Sequence, residues 1–161
     1  MEFNIRQMQL KDIEQVQQVA KTSWNETYKN IIPFQIQENF LKIAYSNEML
    51  QKRLENSLFL VSEIQQEIVG FASFSNISEQ GKVELTAIYF APSYQGKGMG
   101  SALLQLGIES LSGVKEILVD VEQENAIGLR FYQAKGFKVV EEYDDVFDGH
   151  ILKTVRLVLK V

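Results

Sequence analysis

An α/β fold built on one sheet of mixed strand direction is what this chain's pattern predicts, on three observations. Strand-like and helix-like apolar runs interleave in the order β, α, α, β, β, β, α, β, α, β, β. A glycine-rich turn, Gln95-Gly96-Lys97-Gly98-Met99-Gly100, separates the strand-like run 83–90 from the helix-like run 101–111. The 161 residues are 45% hydrophobic and 23% charged, which is ordinary globular composition with enough apolar surface for a core without disulfides or metals. A single domain spanning 1–161 is the expectation.

Phe3 and Ile5 alternate with Asn4 and Arg6, the period of a half-buried strand over 3–8. Over 11–28, Ile13, Val16, Ala20, Trp24 and Thr27 recur three or four apart and place one apolar stripe on a helix. Trp24 and Tyr28, four apart, share a face of it. Pro33 disfavours helical geometry at Ile32 and suits the first turn of a new helix, which Ile36, Phe40, Ile43 and Ala44 continue. Ser46 and Asn47 offer a cap to another short helix through Met49, Leu50 and Leu54.

Two β-rich runs, 57–63 and 68–75, flank the polar Gln65-Gln66-Glu67 and read as an antiparallel pair. The run 83–90 is a third strand whose alternation wavers after Ala87, where a bulge is expected. Beyond the glycine turn and its helix come a strand over 116–121 and a helix over 125–135 closed by Gly136. Strands at 137–142 and 151–161 complete the set, and the polar stretch 144–150 between them reads as a loop long enough to reach a site.

The chain has no cysteine, which removes disulfides, thiolate metal sites and a cysteine nucleophile from consideration. Its one histidine, His150, cannot build a zinc site of the usual kind, and no metal is expected. No Ser/His/Asp nucleophile set stands out. The start Met1-Glu2-Phe3-Asn4-Ile5-Arg6 lacks the pattern of a signal peptide, and no apolar stretch is long enough to span a bilayer, so a cytoplasmic protein without membrane contact is expected. A net charge of −5 disfavours nucleic acid as a partner. The same acidity could draw cationic amines, or could serve solubility alone.

The glycine turn carries the chemistry. Its backbone can approach a ligand closely, and the helix that follows starts with free N–H groups and a partial positive charge, which together make an anion cradle. A tight strand-to-helix connection with no ligand is the competing reading. Two nucleotide loops are excluded. Ser101 stands where a dinucleotide fingerprint needs its third glycine. Ala91 and Gly98 stand where a P-loop needs a glycine and a Ser or Thr.

Gln95 to Gly100 matches Q/R-x-x-G-x-G/A, and in this it resembles the GCN5-related N-acetyltransferases. A second block, Asn125-Ala126 with Gly128, Phe131-Tyr132 and Gly136-Phe137, is similar to that family's N-x-x-A/G-x-x-x-Y-x-x-x-G-F pattern, and the element order agrees across nearly the whole chain. The resemblance implies an acyl-CoA N-acyltransferase fold: a mixed, mostly antiparallel sheet of about seven strands with flanking helices and a bulged central strand. It also implies acetyl-CoA bound where that strand parts from its parallel neighbour. Ile88, Tyr89 and Phe90 would then meet the pantetheine arm, with 116–121 across the gap. Gly96, Lys97, Gly98, Met99, Gly100 and Ser101 would hold the pyrophosphate through backbone N–H groups. Lys97 would either add a point charge or point into water, and Gln95 would either line the site or close the turn. Asn125 would cap its helix and also bond the peptide-like part of the cofactor.

The implied reaction is direct attack of a primary amine on the thioester, with Tyr132 as the acid that protonates the departing thiolate. An alkyl amine with a pKa near 10.4 is neutral in about one molecule in a thousand at pH 7, a cost of roughly 4 kcal/mol, so its proton needs an acceptor. Glu84 on the central strand is the candidate, directly or through water, with Asp120 or water alone as substitutes. Trp24, Thr27, Tyr28, Ile32 and Pro33 are similar in spacing to a bacterial branch that includes polyamine acetyltransferase-like members, which implies Trp24 and Tyr28 on the acceptor side. A small-molecule amine is the implied partner, and a homodimer through the C-terminal strands is an arrangement the family uses. Acyl-CoA binding without turnover and acetylation of a protein amine stay open as alternatives.

Overall fold

Helix α1 (Ile13–Thr27) buries Ile13, Val16, Val19, Ala20, Ser23 and Trp24, the stripe that its spacing dictates. The chain leaves the helix at Tyr28, and Pro33, extended at φ −53° and ψ 138°, precedes α2 (Phe34–Ala44). A third helix, α3 (Asn47–Asn56), starts at Ser46, whose hydroxyl accepts from the Met49 N–H at 3.1 Å. Three α-helices therefore precede the second strand, where the residue patterns place them, although the expected element order counts only two. The computed structural model describes residues 2–161.

The remaining elements are β1 (Asn4–Gln7), β2 (Leu58–Ile64), β3 (Glu67–Phe74), β4 (Lys82–Phe90), α4 (Met99–Ser110), β5 (Glu116–Glu122), α5 (Ala126–Ala134), β6 (Lys138–Phe147) and β7 (His150–Lys160). Seven strands form one sheet in the order β1-β2-β3-β4-β5-β7-β6. All neighbours are antiparallel except β4 and β5. This is the mixed, mostly antiparallel acyl-CoA N-acyltransferase fold. No helix among the described residues is long and apolar enough to cross a membrane.

Two cores lie on opposite faces of the sheet. One packs α4 and α5 against Val83, Leu85, Ile117, Val119, Val155 and Leu157. The other packs α1 and α3 against Phe59, Val61, Phe71 and Ala87. Leu85 and Ala87 belong to different cores although two residues apart, which plain alternation forbids. A bulge explains it: Phe74 pairs with Leu85 and Ser73 with Ala87, leaving Thr86 as the extra residue. The expected bulge is present, and Thr86 sits one residue before the expected point. The Thr86 hydroxyl donates to the Ser73 carbonyl at 3.0 Å and seals the irregularity.

The expected polar loop at 144–150 is corrected. β6 continues to Phe147, and only Asp148 and Gly149 turn, with φ of 51° and 76°, before His150 opens β7. Glu141, Glu142, Asp144 and Asp145 lie on the edge strand of the sheet, where charge is compatible with pairing on one side and water on the other. The tip still reaches far: Phe147 packs edge-on against Phe40 of α2 at 5.5 Å, and Asn39 donates to Asp148 at 2.6 Å.

Candidate active site

Strands β4 and β5 pair only through Lys82, Val83 and Glu84 against Glu116, Ile117 and Leu118, then part. The gap opens into a cavity of about 550 Å³, of the size that holds a small organic ligand. Its walls come from α1, β4, the glycine turn, β5 and α5.

The turn supplies one end. Gly96 and Gly98 have φ of 74° and 82°, a left-handed geometry that side chains resist. Gly98 is the residue before α4, and no side chain caps that helix, so the first N–H groups of α4 are left to a ligand or to water. All of Gln95, Gly96, Lys97, Gly98, Met99, Gly100 and Ser101 line the cavity, and the Met99 side chain is buried beneath it. Ile88, Tyr89 and Phe90 line it from β4, and the bulge at Thr86 sets which faces they present.

At α5 the situation is reversed, because Asn125 caps the helix. Its Oδ1 accepts from the Gly128 N–H at 3.0 Å, as an asparagine after a strand predicts, and Asn125 also lines the cavity. Two turns on, the Tyr132 ring is gripped edge-on by Phe131 at 5.2 Å and Phe137 at 5.3 Å. The Tyr132 hydroxyl has no hydrogen-bond partner among the described residues, although the residue lines the cavity. Burial raises its pKa well above the ordinary tyrosine value, with nearby Tyr28 a smaller contributor, so it stays protonated in neutral and mildly alkaline water.

Tyr28 lines the cavity from the end of α1, and its hydroxyl lies 3.2 Å from that of Tyr89. Trp24 is buried behind it, 4.6 Å from the Tyr28 ring and stacked on Phe40 at 4.4 Å, and is not among the lining residues. Glu84 does not line the cavity either. Its carboxylate accepts from Arg156 at the point where β4 and β5 part. Asp120 does line the cavity, and it accepts from Arg156 at 2.9 Å and from the Tyr143 hydroxyl at 2.6 Å. The bond to Asp120 pushes the Tyr143 pKa up to about 12. Two carboxylates thus share one guanidinium and keep a net charge of about −1 beside the cleft.

Further lining residues lie outside the expected site set. Glu26 and Thr27 face the cavity from α1, and Ile127, Phe131 and Lys135 from α5. The Lys135 ammonium lies 5.7 Å from the Phe131 ring centre. Helical spacing from Tyr132 could have flagged Lys135, three residues on; nothing in the sequence marks Glu26.

An uncapped helix start suited to an anion and a buried phenol, both lining the gap between two diverging strands, make the arrangement of an acyltransferase that uses coenzyme A esters. Comparison with known proteins agrees. The profile of the acetyltransferase (GNAT) family matches residues 14–137. The spermidine N(1)-acetyltransferase of Thermoplasma acidophilum is 32% identical over 148 residues, covering 86% of this chain and 90% of that protein. The N-acetyltransferase YuaI of Bacillus subtilis is 34% identical over 158 residues, 95% of this chain and 90% of that one. Among solved structures, the PaiA N-acetyltransferase from Thermoplasma acidophilum in complex with coenzyme A superposes with a TM-score of 0.88 at 27% identity, covering 100% of both chains. The chain belongs to the acetyltransferase (GNAT) family, and it is an enzyme that takes acetyl-CoA as its donor.

Proposed function

We propose that this single-domain enzyme acetylates a primary amine of a small, cationic, polyamine-like molecule by direct attack on acetyl-CoA. The observation that carries the reading is one cavity lined by both the uncapped start of α4 and the unpartnered hydroxyl of Tyr132. The amine nitrogen forms a bond to the acetyl carbon, the carbon–sulfur bond breaks, and the thiolate takes the Tyr132 proton. The ammonium proton leaves through water to the carboxylates that share Arg156, with Asp120 nearer the cavity and Glu84 behind it. Solvent then restores the proton on Tyr132. Holding the two reactants in line supplies much of the acceleration.

Charge supports the division of the cleft. Lys97 and Lys135 are the lysines among its lining residues and suit the phosphates of the donor. Glu26 and Asp120 are its acids and suit a cationic acceptor. Tyr28, backed by Trp24 and Phe40, offers the methylene chain of a polyamine an aromatic wall. The spermidine acetyltransferase relative points the same way.

A panel of polyamines, amino acids, aminoglycosides and peptides, assayed by release of free thiol and by mass of the product, tests the proposal. Polyamines are expected to lead, with kcat/KM rising with pH as the free-amine fraction grows. Turnover confined to peptides would replace the small-molecule acceptor with a protein amine.

A further inference from the structure

The width of the donor cleft is not set by the sheet. Backbone hydrogen bonds hold neighbouring strands about 4.8 Å apart only where they pair, and β4 and β5 stop pairing at Glu84 and Leu118. Beyond that point β4 is pinned on its outer side by β3 as far as Phe90, and β5 by β7 along all of Glu116 to Glu122. Each half of the sheet is firm, and the angle between the halves is left to whatever crosses the apex.

Arg156 crosses it. It stands on β7 opposite Asp120 of β5 and donates Nη1 to Oδ1 at 2.9 Å. Its Nη2 passes beyond β5 and donates to Glu84 Oε1 on β4. From the far side, Tyr143 of β6 fixes the other Asp120 oxygen. The guanidinium is a planar fork, so the two carboxylates are tied to one rigid group rather than to a flexible point charge. Among the described residues, no other side-chain hydrogen bond joins β4 to β5, β6 or β7. The Arg156 side chain is 23% exposed and that of Glu84 41%, so water shields this link only in part.

We propose that Arg156 is a positioning residue: by tying β4 to β7 across β5 through Glu84, it fixes the opening of the cleft that receives the donor. This rests on the donor lying between β4 and β5.

Calorimetry with coenzyme A and steady-state kinetics with acetyl-CoA test it on Arg156→Met, Glu84→Met and the double variant. Each single change is expected to raise the coenzyme A Kd and the acetyl-CoA KM about three- to tenfold. The double variant is expected to be no worse than the weaker-binding single variant, because both remove the same link. Arg156→Lys, which keeps the charge and loses the fork, is expected to recover less than half of the lost affinity. A merely structural arginine would lower Tm and leave Kd unchanged well below the melting range, and that result overturns the proposal. Additive losses in the double variant overturn it too. Should Arg156→Met fail to fold, Glu84→Met decides alone, since unchanged coenzyme A affinity there breaks the argument. Failure of the unaltered enzyme to bind coenzyme A would instead remove the donor site itself.

Discussion

Replacing Tyr132 with phenylalanine separates chemistry from architecture more cleanly than any other change at this site. The ring contacts that hold the residue, to Phe131 at 5.2 Å and Phe137 at 5.3 Å, survive intact in the variant. The deleted hydroxyl touches no protein donor or acceptor among the described residues, so no partner is left unsatisfied, and stability should change by no more than about 0.5 kcal/mol. A proton donor in the transition state contributes about 10²- to 10⁴-fold, so kcat should fall by at least about a hundredfold. Because burial raises the Tyr132 pKa above its ordinary value, the unaltered enzyme should lose no activity to deprotonation of this group up to about pH 10. The assay is thiol release from pH 6 to 10 alongside a thermal melt and coenzyme A calorimetry. Unchanged kcat in a folded variant that binds coenzyme A normally would refute the role.

Three further outcomes follow from the packing and the charges. Gly107 of α4 faces Phe74, and a Cβ there would lie 2.2 Å from the ring; Gly107→Ala gains about 1 kcal/mol of helix propensity but forces about 1–3 kcal/mol of overpacking. Its Tm should therefore fall, and a rise would show that Phe74 yields freely. Asp12 is buried and held by Arg6 at 2.7 and 3.0 Å, which lowers its pKa. That stabilisation is present above the unfolded carboxylate pKa and is lost as pH falls through the depressed folded value. Asp12→Asn should cost about 2 kcal/mol in urea melts at pH 7 and much less at pH 2, and an equal gap at both would sink the assignment. At the donor end, Lys97→Ala and Lys135→Ala should each weaken coenzyme A several-fold in low salt and less in high salt; affinity equal to that of the unaltered enzyme at both salt concentrations would mean that these ammonium groups face only water.

What was legible in the sequence is what local chemistry writes there. Glycines at 96 and 98 answer to left-handed backbone, Asn125 to a helix start, and the stripe from Ile13 to Trp24 to a buried face. The hidden part depends on register. Arg156 is one charge in an alternating strand until pairing sets it opposite Asp120, with a single strand between it and the strand of Glu84. Glu84 looked like a lone carboxylate beside a cleft for the same reason. The acids Asp144 and Asp145 resemble a loop because an edge strand with water on both faces has no apolar period to display.

The extra residue at Thr86 makes the central strand a shared wall, contributing Leu85 to one core and Ala87 to the other. Deleting that one residue would restore plain alternation and turn every later side chain of the strand over. Ile88 and Phe90 would swing toward the first helix, and Tyr89 would leave Tyr28. The donor and acceptor sides would be exchanged along one strand while the composition stayed almost the same. The enzyme's tolerance for insertions and deletions should therefore be lowest here, at a threonine that lines the cavity but moves no proton in the proposed reaction.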